Sequence, residues 1–137
     1  MIFGIGTDIA EVCRFEKWVK NPDMFMRFFN SAEIMEGGNI SARCQHYAVR
    51  FAAKEAFSKA LGTGIAFDLK DVFITNEPGG KPLLNVKGTA KKLLEEKAGL
   101  GYNIHVSLSH EKEYALAFVV IETDTKTDAE ENEGIWL

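Results

Sequence analysis

Near the start of the chain, Gly4-Ile5-Gly6-Thr7-Asp8 sets one carboxylate on a backbone nearly stripped of side chains. Mid-chain, Arg50-Phe51-Ala52-Ala53-Lys54-Glu55-Ala56-Phe57-Ser58-Lys59 sets a second carboxylate among three cations. Magnesium takes oxygen ligands, keeps several waters, and is typically held by one or two carboxylates together with substrate phosphates. Asp8 and Glu55 would supply those carboxylates. Arg50, Lys54 and Lys59, followed by Gly62-Thr63-Gly64, would give a polyphosphate cations and a backbone it can approach closely. Each residue also has a plainer reading. Asp8 with Glu11 three residues later fits a helix cap, Glu55 with Lys59 fits a one-turn ion pair, and the cations fit a solvated helix face.

Other chemistries are weaker. Gly4-x-Gly6 resembles part of a dinucleotide fingerprint, but position 9 is Ile where a third glycine belongs, and no βαβ unit follows. His105 and His110 are an odd number of positions apart, so on one strand they face opposite ways and do not share a metal. His110, at a strand end beside Glu111, suits a phosphate contact or proton transfer near neutral pH. No Ser/His/Asp set is present, and Cys13 and Cys44 lie far apart with no zinc-ligand spacing, which fits two free thiols in a reducing compartment.

The elements that must position these groups follow from periodicity. Residues 2–10 alternate as a strand, with Phe3, Ile5, Thr7 and Ile9 on one side and Gly4, Gly6, Asp8 and Ala10 on the other. A helix is predicted over 11–20, broken at Asn21-Pro22-Asp23. Asn30 with Glu33 predicts a capping-box start of a short helix ending at Gly37-Gly38. Residues 41–61 form the longest predicted helix, with alanines on its buried half and Arg50, Lys54, Glu55, Ser58 and Lys59 on the polar half. A hairpin joins 71–76 to 82–87 through Glu77-Pro78-Gly79-Gly80. A helix capped by Thr89 runs to residue 98, and strands follow over 104–109 and 114–121. The predicted class is α+β, a mostly antiparallel sheet packed on one long helix and shorter helices.

The sequence has 137 residues and a net charge of −4, but residues 1–121 carry 15 basic and 14 acidic side chains, so the acidity sits in the tail. That excludes the basic footprint of a general nucleic-acid binder. No apolar run is long enough to span a bilayer, and no basic segment leads into an apolar one at the N-terminus. The expectation is a cytoplasmic protein with one domain over 1–122 and an acidic, flexible tail over 123–137.

Read in order, these motifs carry a family resemblance. They are Gly4-Ile5-Gly6-x-Asp8-Ile9 with Arg14, Arg50-Phe51-Ala52-x-Lys54-Glu55-Ala56 through Lys59-Ala60, and Gly62-Thr63-Gly64. Gly80-Lys81-Pro82 and His105-Val106-Ser107-Leu108-Ser109-His110 with Tyr114-Ala115 follow. The chain resembles the holo-acyl-carrier-protein synthases, the small bacterial type of 4′-phosphopantetheinyl transferase. That resemblance implies transfer of the phosphopantetheine arm of coenzyme A to a serine of apo acyl carrier protein, with release of adenosine 3′,5′-bisphosphate. It implies Asp8 and Glu55 as Mg²⁺ ligands, and Lys59 with the Gly62 backbone as supports for the pyrophosphate. Arg50, Pro82 and His110 fall near the nucleotide end. It also implies a homotrimer whose sites are shared between neighbouring subunits. Arg14, within a local basic strip with Lys17, Lys20 and Arg27, would meet the acidic carrier, with Phe25 or Met26 as an apolar anchor. The competing reading from another class is a noncatalytic module that binds coenzyme A or carrier protein on the same fold. A trimeric structural module would explain an apolar sheet but not the two carboxylates.

Overall fold

The computed structural model describes residues 1–124. The acidic tail predicted over 123–137 therefore lies almost wholly outside the described residues. Strand β1 (Ile2–Glu11) opens the chain. A 3-10 turn at Val12–Phe15, helix α1 (Glu16–Lys20), a 3-10 turn at Pro22–Met24 and helix α2 (Phe25–Phe28) follow. After a 3-10 turn at Ser31–Glu33 comes the long helix α3 (Ile40–Leu61). Strands β2 (Val72–Asn76) and β3 (Pro82–Val86), helix α4 (Gly88–Ala98), and strands β4 (Tyr102–His110) and β5 (Tyr114–Thr123) complete it. Two antiparallel sheets result, one in the order β1-β5-β4 and one formed by the β2–β3 hairpin. The predicted α+β class and antiparallel sheet are both present. Among the described residues no helix is long and apolar enough to cross a membrane.

The core forms around α3. Its small residues Ala52, Ala53, Ala56 and Ala60 are buried, as are Ala10 of β1 and Ala115, Ala117, Val119 and Ile121 of β5. Short side chains on both surfaces let strand and helix backbones come close. Gly4 and Gly6 take this furthest: a Cβ on Gly6 would overlap the Ala56 carbonyl oxygen, and one on Gly4 the Ala60 carbonyl oxygen. Hence the bare face of β1 is the one that meets the helix, and Phe3, Ile5 and Ile9 point away, with Ile9 62% exposed. At the other end, Phe15, Trp18 and Phe51 form an aromatic cluster, with ring centroids 4.7 to 5.6 Å apart, that seats the N-terminal turns on α3.

Several elements differ from expectation. The helix predicted over 11–20 is a strand end, then a 3-10 turn, and only then helix, because Glu11 still pairs with Tyr114 of β5. The Asn30–Glu33 capping box forms, but it closes a single 3-10 turn rather than a helix. Helix α3 starts one residue earlier than predicted, with Asn39 Oδ1 accepting the Ala42 amide at 2.8 Å. Thr89 is not the cap of α4. It lies inside the first turn and donates both its amide and its hydroxyl to Asp71 Oδ2, at 2.8 and 2.7 Å, so the cap is supplied by a carboxylate distant in sequence.

Candidate active site

Asp8 and Glu55 come together because β1 lies along α3. Asp8 sits within the strand, opposite Ala117, so the helix-cap reading falls away. Lys59 leaves Glu55 and reaches across to β1, donating to Asp8 Oδ1 and to the Thr7 carbonyl, both at 3.0 Å. The alternative reading of Glu55 as a one-turn ion pair with Lys59 is therefore not met, and Glu55 has no ion pair among the described residues. Burial pushes the Glu55 carboxyl above its ordinary range and the neighbouring Asp8 charge pushes it further; Lys59 and Arg14 pull it partly back. Two carboxylates, one of them without a neutralising partner, beside one shared ammonium are an arrangement that lacks positive charge. The donor set is all oxygen and anionic, which fits a hard divalent cation whose other ligands are waters and phosphates.

Gly62 ends α3 in the left-handed conformation, φ 83°, with nothing within 4 Å of where a Cβ would stand. Its amide already donates to the Ser58 carbonyl at 2.9 Å, so what it offers a ligand is clearance rather than a donor. A helix C-terminus is negative. Any phosphate lying there must rely on Lys59 and a metal for compensation.

Arg50 lies five residues, about 140° at 100° per residue, around the helix from Glu55. It faces the hairpin, where Nη2 donates to Asn76 Oδ1 at 3.4 Å, while Nη1 donates back to the His46 carbonyl one turn earlier on α3 at 3.3 Å. Both acceptors are neutral. Burial lowers the guanidinium from its ordinary value and the Glu33 charge raises it again, and it carries no contact ion pair among the described residues. Asn76 pairs directly with Pro82 across the hairpin, so the structure brings Arg50 and Pro82 together through a residue the sequence reading did not single out. The only sequence signal at Asn76 was its place beside the turn Glu77-Pro78-Gly79-Gly80. His110 lies at the exposed end of β4, in the cross-strand row Ala10–Ala115–His110, two residues along from the row that holds Asp8. It shares the sheet face of Asp8 but stands two strands across and two residues along from it, roughly 12 Å. His105 is on the opposite face, as predicted, and pairs with Glu122 at 3.0 Å.

Three assignments need correction. Ser58, placed with the polar half of the helix, is 2% exposed, and its hydroxyl donates back to the Glu55 carbonyl at 2.7 Å. Lys54, placed with the polar half of the helix, is fully buried. Its ammonium pairs with Glu33 Oε1 at 2.6 Å and donates to the Leu69 carbonyl at 3.1 Å and to the Val72 carbonyl. A helical wheel ranks residues by polarity, but a second layer packed on that side of α3 turns the position inward. Phe25 cannot anchor a partner, since it is 3% exposed and stacks on Tyr47 at 4.1 Å. Met26 next to it is 70% exposed, and Arg14, Lys17 and Arg27 are exposed, so the basic strip keeps an apolar neighbour on its surface.

A family model described as the 4′-phosphopantetheinyl transferase superfamily matches residues 4–119. The holo-[acyl-carrier-protein] synthase of Treponema denticola is 48% identical over 124 residues, covering 89% of this chain and 99% of that protein. Among solved structures, the holo-[acyl-carrier-protein] synthase of Neisseria meningitidis superposes with a TM-score of 0.78 at 36% identity, over 90% of this chain and 100% of that one. The Bacillus anthracis str. Ames holo-(acyl-carrier-protein) synthase in complex with CoA (3′,5′-ADP) superposes with a TM-score of 0.71 at 36% identity, over 90% and 99%.

Proposed function

This chain belongs to the 4′-phosphopantetheinyl transferase superfamily, and from that premise we propose that Asp8 and Glu55 hold a Mg²⁺ ion against the pyrophosphate of coenzyme A. The enzyme transfers 4′-phosphopantetheine from coenzyme A to a serine of apo acyl carrier protein and releases adenosine 3′,5′-bisphosphate. The observation that carries the metal assignment is that Lys59 crosses to Asp8 and leaves Glu55, one turn before it on the helix, without an ion pair among the described residues; burial first, and then the Asp8 charge, raise that carboxyl. When bound, the ion neutralises charge that builds on the leaving phosphate. Lys59 holds Asp8 in place and presents the rest of its ammonium to the pyrophosphate, while Gly62 leaves room for that group beside the helix end. Arg50 and Pro82 receive the nucleotide end, joined by His110. As the serine hydroxyl loses its proton to solvent and its oxygen bonds to the β-phosphorus, the bond from that phosphorus to the departing bisphosphate breaks in line, and these residues act by positioning and charge. Incubation with coenzyme A, Mg²⁺ and apo carrier protein should add one phosphopantetheine to the carrier's mass. A carrier of unchanged mass would favour the noncatalytic binding module.

The enzyme acts as a homotrimer, with each site built from two subunits. Two observations support this. The outward face of β1 and β5 leaves Ile5, Ile9, Leu116 and Phe118 each more than two-fifths exposed, a contiguous apolar surface. Arg50 and Glu55 point to different sides of one helix, so the metal half and the nucleotide half of a site meet more readily across subunits than within one. Phe118→Glu, which sets a charge in the middle of that surface, should turn a trimeric native mass into a monomeric one and lower activity at least about tenfold. A parental mass for the variant would remove the face from assembly.

Arg14, Lys17 and Arg27, with Met26 beside them, form the surface that meets the acidic carrier. Arg14→Glu should raise the carrier KM roughly tenfold and flatten the dependence of the rate on ionic strength, with turnover at saturating carrier nearly kept. A parental KM would take Arg14 off that surface. Substrates of this kind place the enzyme in the cytoplasm.

A further inference from the structure

Lys54 and Glu33 are the one fully buried ion pair among the described residues, and the proposed transfer chemistry uses neither. The Lys54 ammonium has three acceptors, Glu33 Oε1, the Leu69 carbonyl and the Val72 carbonyl, so its protons are all engaged. Glu33 Oε1 also accepts the Asn30 amide at 3.1 Å, and Oε2 accepts the Ile74 amide at 3.0 Å. Asn30 in turn donates through Nδ2 to the Lys70 carbonyl at 3.1 Å. Four segments are tied at this point: the turn after α2, the middle of α3, the 3-10 turn at Leu69–Asp71, and β2.

The connection to β2 is the informative one. β2 pairs with β3 along one edge only, and the Ile74 amide on the other edge is received by a carboxylate instead of a strand. Val72, whose carbonyl receives Lys54, flanks it on the same strand. Two residues beyond Ile74 is Asn76, which receives Arg50 and stands opposite Pro82. Lys54 is one turn along α3 from Arg50. The ion pair thus sets the distance between the helix that carries Arg50 and the hairpin that carries Asn76 and Pro82.

We infer that the Glu33–Lys54 ion pair is a positioning device for coenzyme A, holding the hairpin against α3 so that Arg50 and Pro82 form one cradle for its phosphorylated nucleotide. This rests on the assignment of Arg50 and Pro82 to the nucleotide end. Glu33 and Lys54 are positioning residues. They touch no substrate, and their loss should weaken coenzyme A binding while sparing the chemical step.

Removing one partner would leave a buried charge alone, so the informative variant neutralises both. Glu33→Gln with Lys54→Met keeps the volumes, and neutral replacement of a buried pair is commonly tolerated by the fold. Steady-state kinetics of the full chain, with coenzyme A varied at saturating apo carrier and Mg²⁺, are compared with Arg50→Ala and with the three substitutions combined. Arg50→Ala should raise the coenzyme A KM roughly tenfold, the size of one lost charged contact. The neutralised pair should raise it similarly, with kcat kept within about threefold, and the combination should exceed Arg50→Ala alone very little. A folded neutralised variant with the parental KM, beside a raised KM for Arg50→Ala, would overturn the positioning role and leave the nucleotide assignment standing. Multiplying effects in the combination would overturn it as well. A parental KM for Arg50→Ala would overturn the nucleotide assignment, and this inference with it. Should the neutralised pair not fold, Glu33→Asp, which keeps the charge but withdraws the carboxylate from Ile74, is read against the same outcomes.

Discussion

Glu55→Gln is expected to lower turnover roughly 100-fold or more while the protein stays fully folded, the scale of losing one preorganised electrostatic contact to developing charge. Glutamine has the same shape, and among the described residues the only hydrogen bond at this residue outside the helix ladder, from Ser58 Oγ at 2.7 Å, goes to its backbone carbonyl. The fold therefore keeps what it had. The sign of the stability effect follows from the raised carboxyl. A folded-state value above the unfolded one means that Glu55's contribution is fully present in acid, below the ordinary carboxylate range, and is lost as pH rises through the raised value. At neutral pH without metal, the variant should accordingly melt at or above the parental temperature. Added Mg²⁺ should raise the parental Tm and move the variant's far less, because a ligand stabilises only the state that binds it. Parental turnover in a folded Glu55→Gln protein would refute the metal assignment, and an equal Mg²⁺ response in both proteins would do the same.

Gly6→Ala is the second large effect, and it acts on the fold first. The added Cβ overlaps the Ala56 carbonyl oxygen and lies 2.6 Å from the Ala60 amide nitrogen, both of them backbone atoms that no rotamer change can clear. Either β1 lifts off α3 or the helix bends. Overpacking of this kind costs about 3 kcal/mol or more, which in a domain of this size lowers the Tm by roughly 10 °C or prevents folding. Soluble variant should also have lost most activity, since the strand that moves carries Asp8 two residues on. A Tm within about 2 °C of the parent would show that the strand does not rest on the helix in this way.

Much of the fold was legible because its periodicities are strong. The alternation of β1 assigned its residues to the correct faces, although the reason one face is bare, the close passage of the α3 backbone, came only with the structure. The long helix was readable to within one residue. What escaped depends on partners far away in sequence. Lys54 is polar, and a wheel sends polar residues outward; nothing local says that Glu33, 21 residues earlier, waits with a carboxylate in the second layer. Thr89 has the chemistry of a cap, yet Asp71 takes that role from across the hairpin. Phe25 was chosen for its aromatic character in a basic neighbourhood, but large rings are the residues a small core claims first, and Tyr47 holds it. The two carboxylates were legible as types, and their meeting was not, since 47 positions separate them.

From Tyr47 to Leu61 the long helix is buried at every position but four: Arg50, Phe51, Glu55 and Lys59. Phe51 packs in the aromatic cluster, and the other three are the groups assigned to phosphate and metal. In most proteins a saturation scan of a helix finds one permissive stripe facing water, and function is sought elsewhere. Here that stripe is missing. Inward positions should reject change because they are walled in by neighbours, and on the proposed assignment Arg50, Glu55 and Lys59 should reject it because they hold phosphate and metal, so the two causes of intolerance would interleave along a single rod. Only a readout that separates abundance from turnover would tell them apart.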